Sequence, residues 1–105
     1  MFTRRVSMHL KPNSVAEFTR TLEKEIIPLL RKQKGFQDEI TFVGSTGTEA
    51  FGISLWDTAE NAEAYNREKY QDVLKTLSKV VEGTPKVESF EVANSTSHQI
   101  AAKAA

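Results

Sequence analysis

Two histidines, one tryptophan and two tyrosines hold most of the ring chemistry of this 105-residue chain, which has no cysteine. His9 lies in a predicted strand, where an imidazole titrating near neutrality can take a proton from a phenol or can be a solvated or interface side chain. Trp56 offers an indole wall and an N–H to an aromatic ligand, or simply core and interface area. Tyr65 falls on an apolar helical stripe, so its buried hydroxyl needs a partner. Tyr70, five residues on, points to another face of a regular helix. Arg5 shares the parity of His9 and can hold an anionic oxygen, although a cross-strand pair with Glu39 is the simpler account. Asn66 can polarise a carbonyl or face water, and Phe42 adds an aromatic ring on the second strand. The candidate set is therefore His9, Trp56 and Tyr65 for catalysis, with Arg5, Phe42, Asn66 and Tyr70 as substrate contacts.

Other chemistries are excluded by what the chain lacks. Without cysteine there is no disulfide, thiolate nucleophile or Cys-ligated metal. His9 and His98 stand too far apart to form a ligand motif, so no metal site is expected. Gly44, Gly47 and Gly52 follow no phosphate-loop pattern, and no nucleophile elbow is present. Fourteen Lys and Arg balance fourteen Asp and Glu, so no net field draws the chain to nucleic acid or an anionic membrane. No apolar run approaches the length of a membrane span. A cytoplasmic location is the expectation.

The residues must be carried by a small set of elements. Phe2, Arg4, Val6, Met8 and Leu10 alternate with Thr3, Arg5, Ser7 and His9, the period of a strand with one apolar face. Ser14 precedes Glu17 by the spacing of a capping box. Val15, Phe18, Leu22, Ile26, Leu29 and Leu30 then trace a helical stripe, kinked or loosened at Pro28 and ended before Gly35. Phe36 to Ser45 and the alternation Phe51, Ile53, Leu55 predict a hairpin across Thr46-Gly47-Thr48-Glu49. Asp57 and Thr58 cap a second helix carrying Ala62, Tyr65, Val73, Leu77, Val80 and Val81, irregular near Asn66 to Gln71. Gly83-Thr84-Pro85 ends it, and Val87 to Val92 forms the last strand. Residues 1–94 make one domain, and the polar, Ala-rich tail 95–105 is expected to be mobile or to lie on a partner subunit.

That order is β-α-β-β-α-β, an α+β ferredoxin-like arrangement with both helices on one face of a four-stranded antiparallel sheet. Alternation assigns Val6, Met8, Leu10, Ile40, Phe42, Ile53 and Leu55 to the helix side. Arg5, Ser7, His9, Thr41, Val43, Ser54 and Trp56 are left on a bare, mixed face. A mixed face with a tryptophan on so small a domain favours a homodimer. A bulge in any strand would reverse its parity.

The run Ile27-Pro28-Leu29-Leu30-Arg31-Lys32-Gln33-Lys34-Gly35-Phe36, followed by Ser54-Leu55-Trp56-Asp57-Thr58-Ala59-Glu60-Asn61-Ala62, resembles the antibiotic biosynthesis monooxygenase domain. The similarity covers residues 2–92. It implies a dimeric α+β barrel with a small-molecule pocket between sheet and helices in each subunit. The resemblance further implies oxidation of an aromatic or quinol-like substrate by dioxygen with no cofactor, or a non-catalytic binding or stress-related dimer of the same fold. Haem-degrading relatives use an Asn on the first strand and a His in the second helix. This chain has neither, which disfavours that branch.

Overall fold

A computed structural model describes residues 1–98. Strand β1 (Phe2–Leu10) is followed by α1 (Val15–Thr21), a π-helical turn (Leu22–Ile26) and α2 (Ile27–Arg31). The hairpin β2 (Phe36–Val43) and β3 (Glu49–Trp56) leads to α3 (Ala59–Glu68), α4 (Tyr70–Leu77) and β4 (Val81–Glu91). The sheet order is β2-β3-β1-β4, and every pairing is antiparallel. This is the expected α+β ferredoxin-like fold.

The first helical segment is continuous but not uniform. Pro28 has no N–H to give, and the helix widens just before it, with Ile27 N–H donating to Leu22 O five residues back. The expected loosening is thus a π-turn, placed on the side that packs against the sheet through Phe18, Ile26 and Leu30. The capping box does not form: Ser14 Oγ donates to Pro12 O at 3.4 Å instead, and Ser14 O receives Phe18 N–H at 2.8 Å.

Gly35 closes this segment at φ +82°, a left-handed conformation that favours glycine. A Cβ here would overlap Asp57 and Asn61. These two side chains, bonded at 2.8 Å, build the start of α3 together with Thr58 Oγ1, which accepts Asn61 N–H at 3.2 Å. Gly35 O also receives Asp57 N–H at 2.9 Å. The Gly-Phe and Trp-Asp runs that looked distant in sequence are therefore one joint.

The second helix is divided, as its irregular stripe predicted, at Lys69 with φ −129°. Its end differs from expectation. Val80 and Val81 belong to a buried turn and to the start of β4, which begins six residues earlier than Val87. Gly83 (φ +67°) and Pro85 are absorbed by a register shift opposite Ser7 and His9 on this edge strand.

The face assignment needs correction on two strands. β1 behaves as expected, with Met8 and Leu10 buried under the helices. Register then sets the rest: Arg4 pairs with Ser54, Val6 with Gly52, Met8 with Ala50 and Phe2 with Trp56, so the helix-side stripe of β3 is Ala50, Gly52, Ser54 and Trp56. On β2 the same side carries Glu39 and Thr41, opposite Ser54 and Gly52. Ile40, Phe42, Phe51, Ile53 and Leu55 lie on the outer face with Arg5, His9 and Phe90. Two causes produced the reversal. A register shift between Phe36 and Asp38 changes parity within β2, and on β3 the more apolar stripe is the one away from the helices.

Candidate functional site

The small residues on the helix side of β3 leave room. A narrow slot of about 60 Å³, or about 480 Å³ when the open solvent at its mouth is counted, runs between sheet and helices. Val6 and Met8 form its floor with Gly52 and Ser54. Leu22, Ile26 and Leu30 close one side, and Tyr65, Tyr70, Val73 and Leu77 close the other. An apolar cleft with few polar groups is the usual setting of a small-molecule site.

Arg4 and Glu39 are the charged groups that reach it. Both flank Ser54 in one row across the sheet, Arg4 from β1 and Glu39 from β2. Arg4 is only 4% exposed, yet it has a single hydrogen bond, Nη1 to Asn66 Oδ1 at 2.9 Å. Its Nε and Nη2 have no partner among the described residues, and neither has Tyr70 Oη. The guanidinium lies over the rings of Tyr65 and Tyr70, 5.2 and 4.7 Å from their centroids. Burial pulls Arg4 below the usual arginine range, while the two neighbouring phenols oppose that shift.

Glu39 Oε2 accepts from Thr41 Oγ1 at 2.6 Å. Burial raises its carboxyl above the usual range; the Thr41 bond works against this and the adjacent Asp38 adds to it. Burial also pushes Tyr65 up to about 12, with Arg4 opposing, and raises Tyr70 in the same way. Both tyrosines are therefore neutral hydroxyls near pH 7, able to donate but not to serve as bases.

Of the residues expected from sequence, Tyr65 and Tyr70 line the slot, with ring centroids 6.2 Å apart. The break at Lys69 resets the helix between them, so the argument that five-residue spacing separates their faces does not hold here. Trp56 stacks behind Tyr65 at 5.0 Å, fully buried, and gives its N–H to Ser54 Oγ at 3.0 Å. It supports the wall instead of forming it. Asn66 holds Arg4 from an exposed position.

The other three lie on the outer face of the sheet. His9 Nδ1 is 2.6 Å from Glu49 Oε1, with both side chains more than half exposed. Arg5 lies 4.4 Å over the Phe51 ring, and Phe42 stacks on Phe51 at 4.8 Å. None of them meets Tyr65. Arg4 and Glu39 were the missed residues. Their signal was in plain view: Arg4 interrupts the apolar parity of β1, a costly position for a cation without a purpose.

Among the described residues no group of His, Asp and Glu side chains is placed to hold a metal ion. Among the described residues, no helix is long and apolar enough to cross a membrane.

No family model matches the sequence, and no curated protein is detectably similar to it. Solved structures are. SnoaB, a cofactor-independent oxygenase from Streptomyces nogalater, superposes with a TM-score of 0.75 over 90% of this chain and 95% of its own, at 12% identity. The chain has the fold of the antibiotic biosynthesis monooxygenases. A monooxygenase from the gene ActVA-Orf6 of Streptomyces coelicolor, solved with the ligand nanaomycin D, matches at a TM-score of 0.72 with 17% identity, covering 90% of this chain and 88% of its own. A Nitrosomonas europaea protein of unknown function, NE2512, matches as well, with a TM-score of 0.74, 14% identity and coverage of 90% and 91%. At these identities the likeness is one of fold.

Proposed function

We propose that this protein is a cofactor-independent monooxygenase of the antibiotic biosynthesis monooxygenase type, oxidising an electron-rich aromatic held in the slot. The observation that carries this reading is the buried Arg4 guanidinium, with two N–H-bearing nitrogens unpartnered in an apolar, aromatic-walled cleft. A phenol that loses its proton becomes electron-rich enough to reduce dioxygen, and a preorganised cation in a dry site stabilises its oxyanion. For an anthrone-like substrate the balance closes without a cofactor. The ring CH₂ and one dioxygen give a carbonyl and water.

The same reading makes the protein a homodimer joined through the outer sheet face. Ile40 is 49% exposed and Phe42 44%, beside the Phe51 ring, and Phe90 is 48% exposed on the opposite edge strand; exposed apolar side chains on one sheet face mark an interface. Oxygen uptake with a panel of hydroquinones and anthrones tests the activity. Uptake with at least one compound, reduced about tenfold or more in Arg4→Met, is the expected result; no uptake across the panel refutes it. One observation favours the alternative of a binding-only domain, because His9 is remote from the slot. Thermal stabilisation by these compounds without turnover would identify that case.

A further inference from the structure

If the slot activates a phenol, something in it must take the phenolic proton. His9 is on the wrong face of the sheet, and both slot tyrosines are neutral hydroxyls. Glu39 remains, and the surrounding geometry is arranged to admit its carboxylate. Position 52 beneath it is glycine, where a Cβ would stand 2.9 Å from Glu39 Oε2. Thr41 anchors that oxygen from the same strand. One bond from Thr41 leaves most of the acceptor capacity of a carboxylate unused. Glu39 also borders the groove between β2 and the π-turn, lined by Phe18, Leu22 and Glu23, so it sits where the slot meets solvent. A base at a mouth can return its proton to water.

We propose that Glu39 is the catalytic base of the slot, accepting the phenolic proton of a bound aromatic whose second oxygen is held by Arg4 on the far side of Ser54. The inference rests on the monooxygenase reading and adds the substrate class to it. Arg4 and Glu39 stand on strands two apart, a backbone separation of roughly 10 Å, which two inward side chains shorten. The ligand is therefore a flat aromatic with a phenol at one end and a conjugated carbonyl or hydroxyl at the other. In the step, the substrate O–H bond breaks and a new O–H bond forms on Glu39. The electron pair stays on the ring and spreads to the oxygen at Arg4, ready for transfer to dioxygen.

The charged and titratable groups facing Glu39 are Asp38 on its own strand, Arg4 across β3, Tyr65 from α3, Tyr70 from α4 and Glu23 from the π-turn. Arg4 is the cation among them.

The test pairs 2-naphthol with naphthalene as calorimetric probes across pH, on wild type, Glu39→Gln and Gly52→Ala. An ionised carboxylate accepts the naphthol hydrogen better than a neutral carboxyl. Wild-type affinity for naphthol should fall roughly tenfold as Glu39 protonates on acidification, while naphthalene shows no such change. Glu39→Gln should flatten the naphthol profile, and Gly52→Ala, which displaces the carboxylate without removing it, should weaken it. With an oxidisable phenolic probe such as 3-hydroxyanthrone, Glu39→Gln should lower the oxygen-uptake rate about 10² to 10⁴-fold and abolish its acid limb.

A Glu39→Gln protein that keeps the wild-type pH profile in naphthol binding or in uptake overturns the assignment. Wild type that binds naphthol with the expected profile but consumes no oxygen overturns the monooxygenase reading while supporting Glu39 as the proton acceptor. Failure of wild type to bind naphthol overturns both.

Discussion

Replacing Arg4 with Met should leave the fold nearly as stable while removing most of its affinity for oxyanion ligands. Met has a similar reach and no charge to bury. Two guanidinium nitrogens without partners oppose folding by about 1–3 kcal/mol each. Against them stand the charged bond to Asn66, worth about 1.5–3 kcal/mol, and two cation–π contacts of about 0.5–2 kcal/mol each. At mid-range values the two sides cancel to within about 1 kcal/mol, and exposed Asn66 regains water on its own. Scanning calorimetry should therefore show a change in Tm of less than about 8 °C for a domain near this size. Isothermal titration with 2,6-dihydroxynaphthalene, which has an oxygen for each end of the slot, should show affinity lower by roughly 10 to 100-fold, the loss of a charged hydrogen bond. A Tm drop beyond about 15 °C would mean that Arg4 is a structural strut whose buried nitrogens are satisfied. Unchanged affinity would mean that the slot does not bind through it. Either result defeats the reasoning.

Phe42→Glu places a charge on the outer face and should convert a dimer to a monomer in light scattering; a dimer persisting at micromolar concentration locates the interface elsewhere. Gly35→Ala forces a left-handed residue into Asp57 and Asn61 and should lower stability by roughly 2–4 kcal/mol in urea unfolding, whereas a shift under 1 kcal/mol would mean that the joint yields. Tyr65 holds its proton more tightly folded, up to about 12, than unfolded near 10. Its contribution is thus present below pH 10 and is lost as pH rises toward 12, on the order of 2–3 kcal/mol. Tyr65→Phe should erase that part of the alkaline decline in chemical denaturation, and an identical decline in both proteins would refute the assignment. His9→Ala removes an exposed pair with Glu49 and should alter stability by less than about 1 kcal/mol and oxygen uptake not at all; loss of uptake would move the chemistry to the other face.

The element order was legible because both periodicities are clean in this chain, and the break near Lys69 was legible as a fault in the stripe. Sheet parity was not. Alternation identifies two faces of a strand but does not say which meets the helices, and the rule that the apolar stripe goes inward fails on β3, whose more apolar stripe faces outward. On β3 the inner stripe is Ala50, Gly52 and Ser54, small enough to leave the slot open, and only Trp56 at its end is large. The error carried into the site. Parity groups Arg5 with His9 and leaves Arg4 among the apolar residues of β1. Unbroken alternation pairs Glu39 with Arg5, whereas the shift at Gln37 turns it inward.

The two faces now separate two roles that sequence parity had merged. On β3 the helix-side residues Ala50, Gly52 and Ser54 are small or polar where an oily core would be more stable, and the buried Arg4 beside them is under-bonded among the described residues. Such an arrangement makes physical sense when a ligand completes it, since the cost of the unpaired donors in the free protein becomes binding energy in the complex. The outer face carries large apolar side chains that no helix covers. A domain of this size buries only a modest fraction of its surface by itself, so a partner on that face would supply core that the hollowed helix side gives up. The slot and the proposed sheet-face dimer would in this sense be one design: Phe42, Phe51 and Ile53, covered by a partner, would stabilise from outside the sheet and free Gly52 and Ser54 inside it.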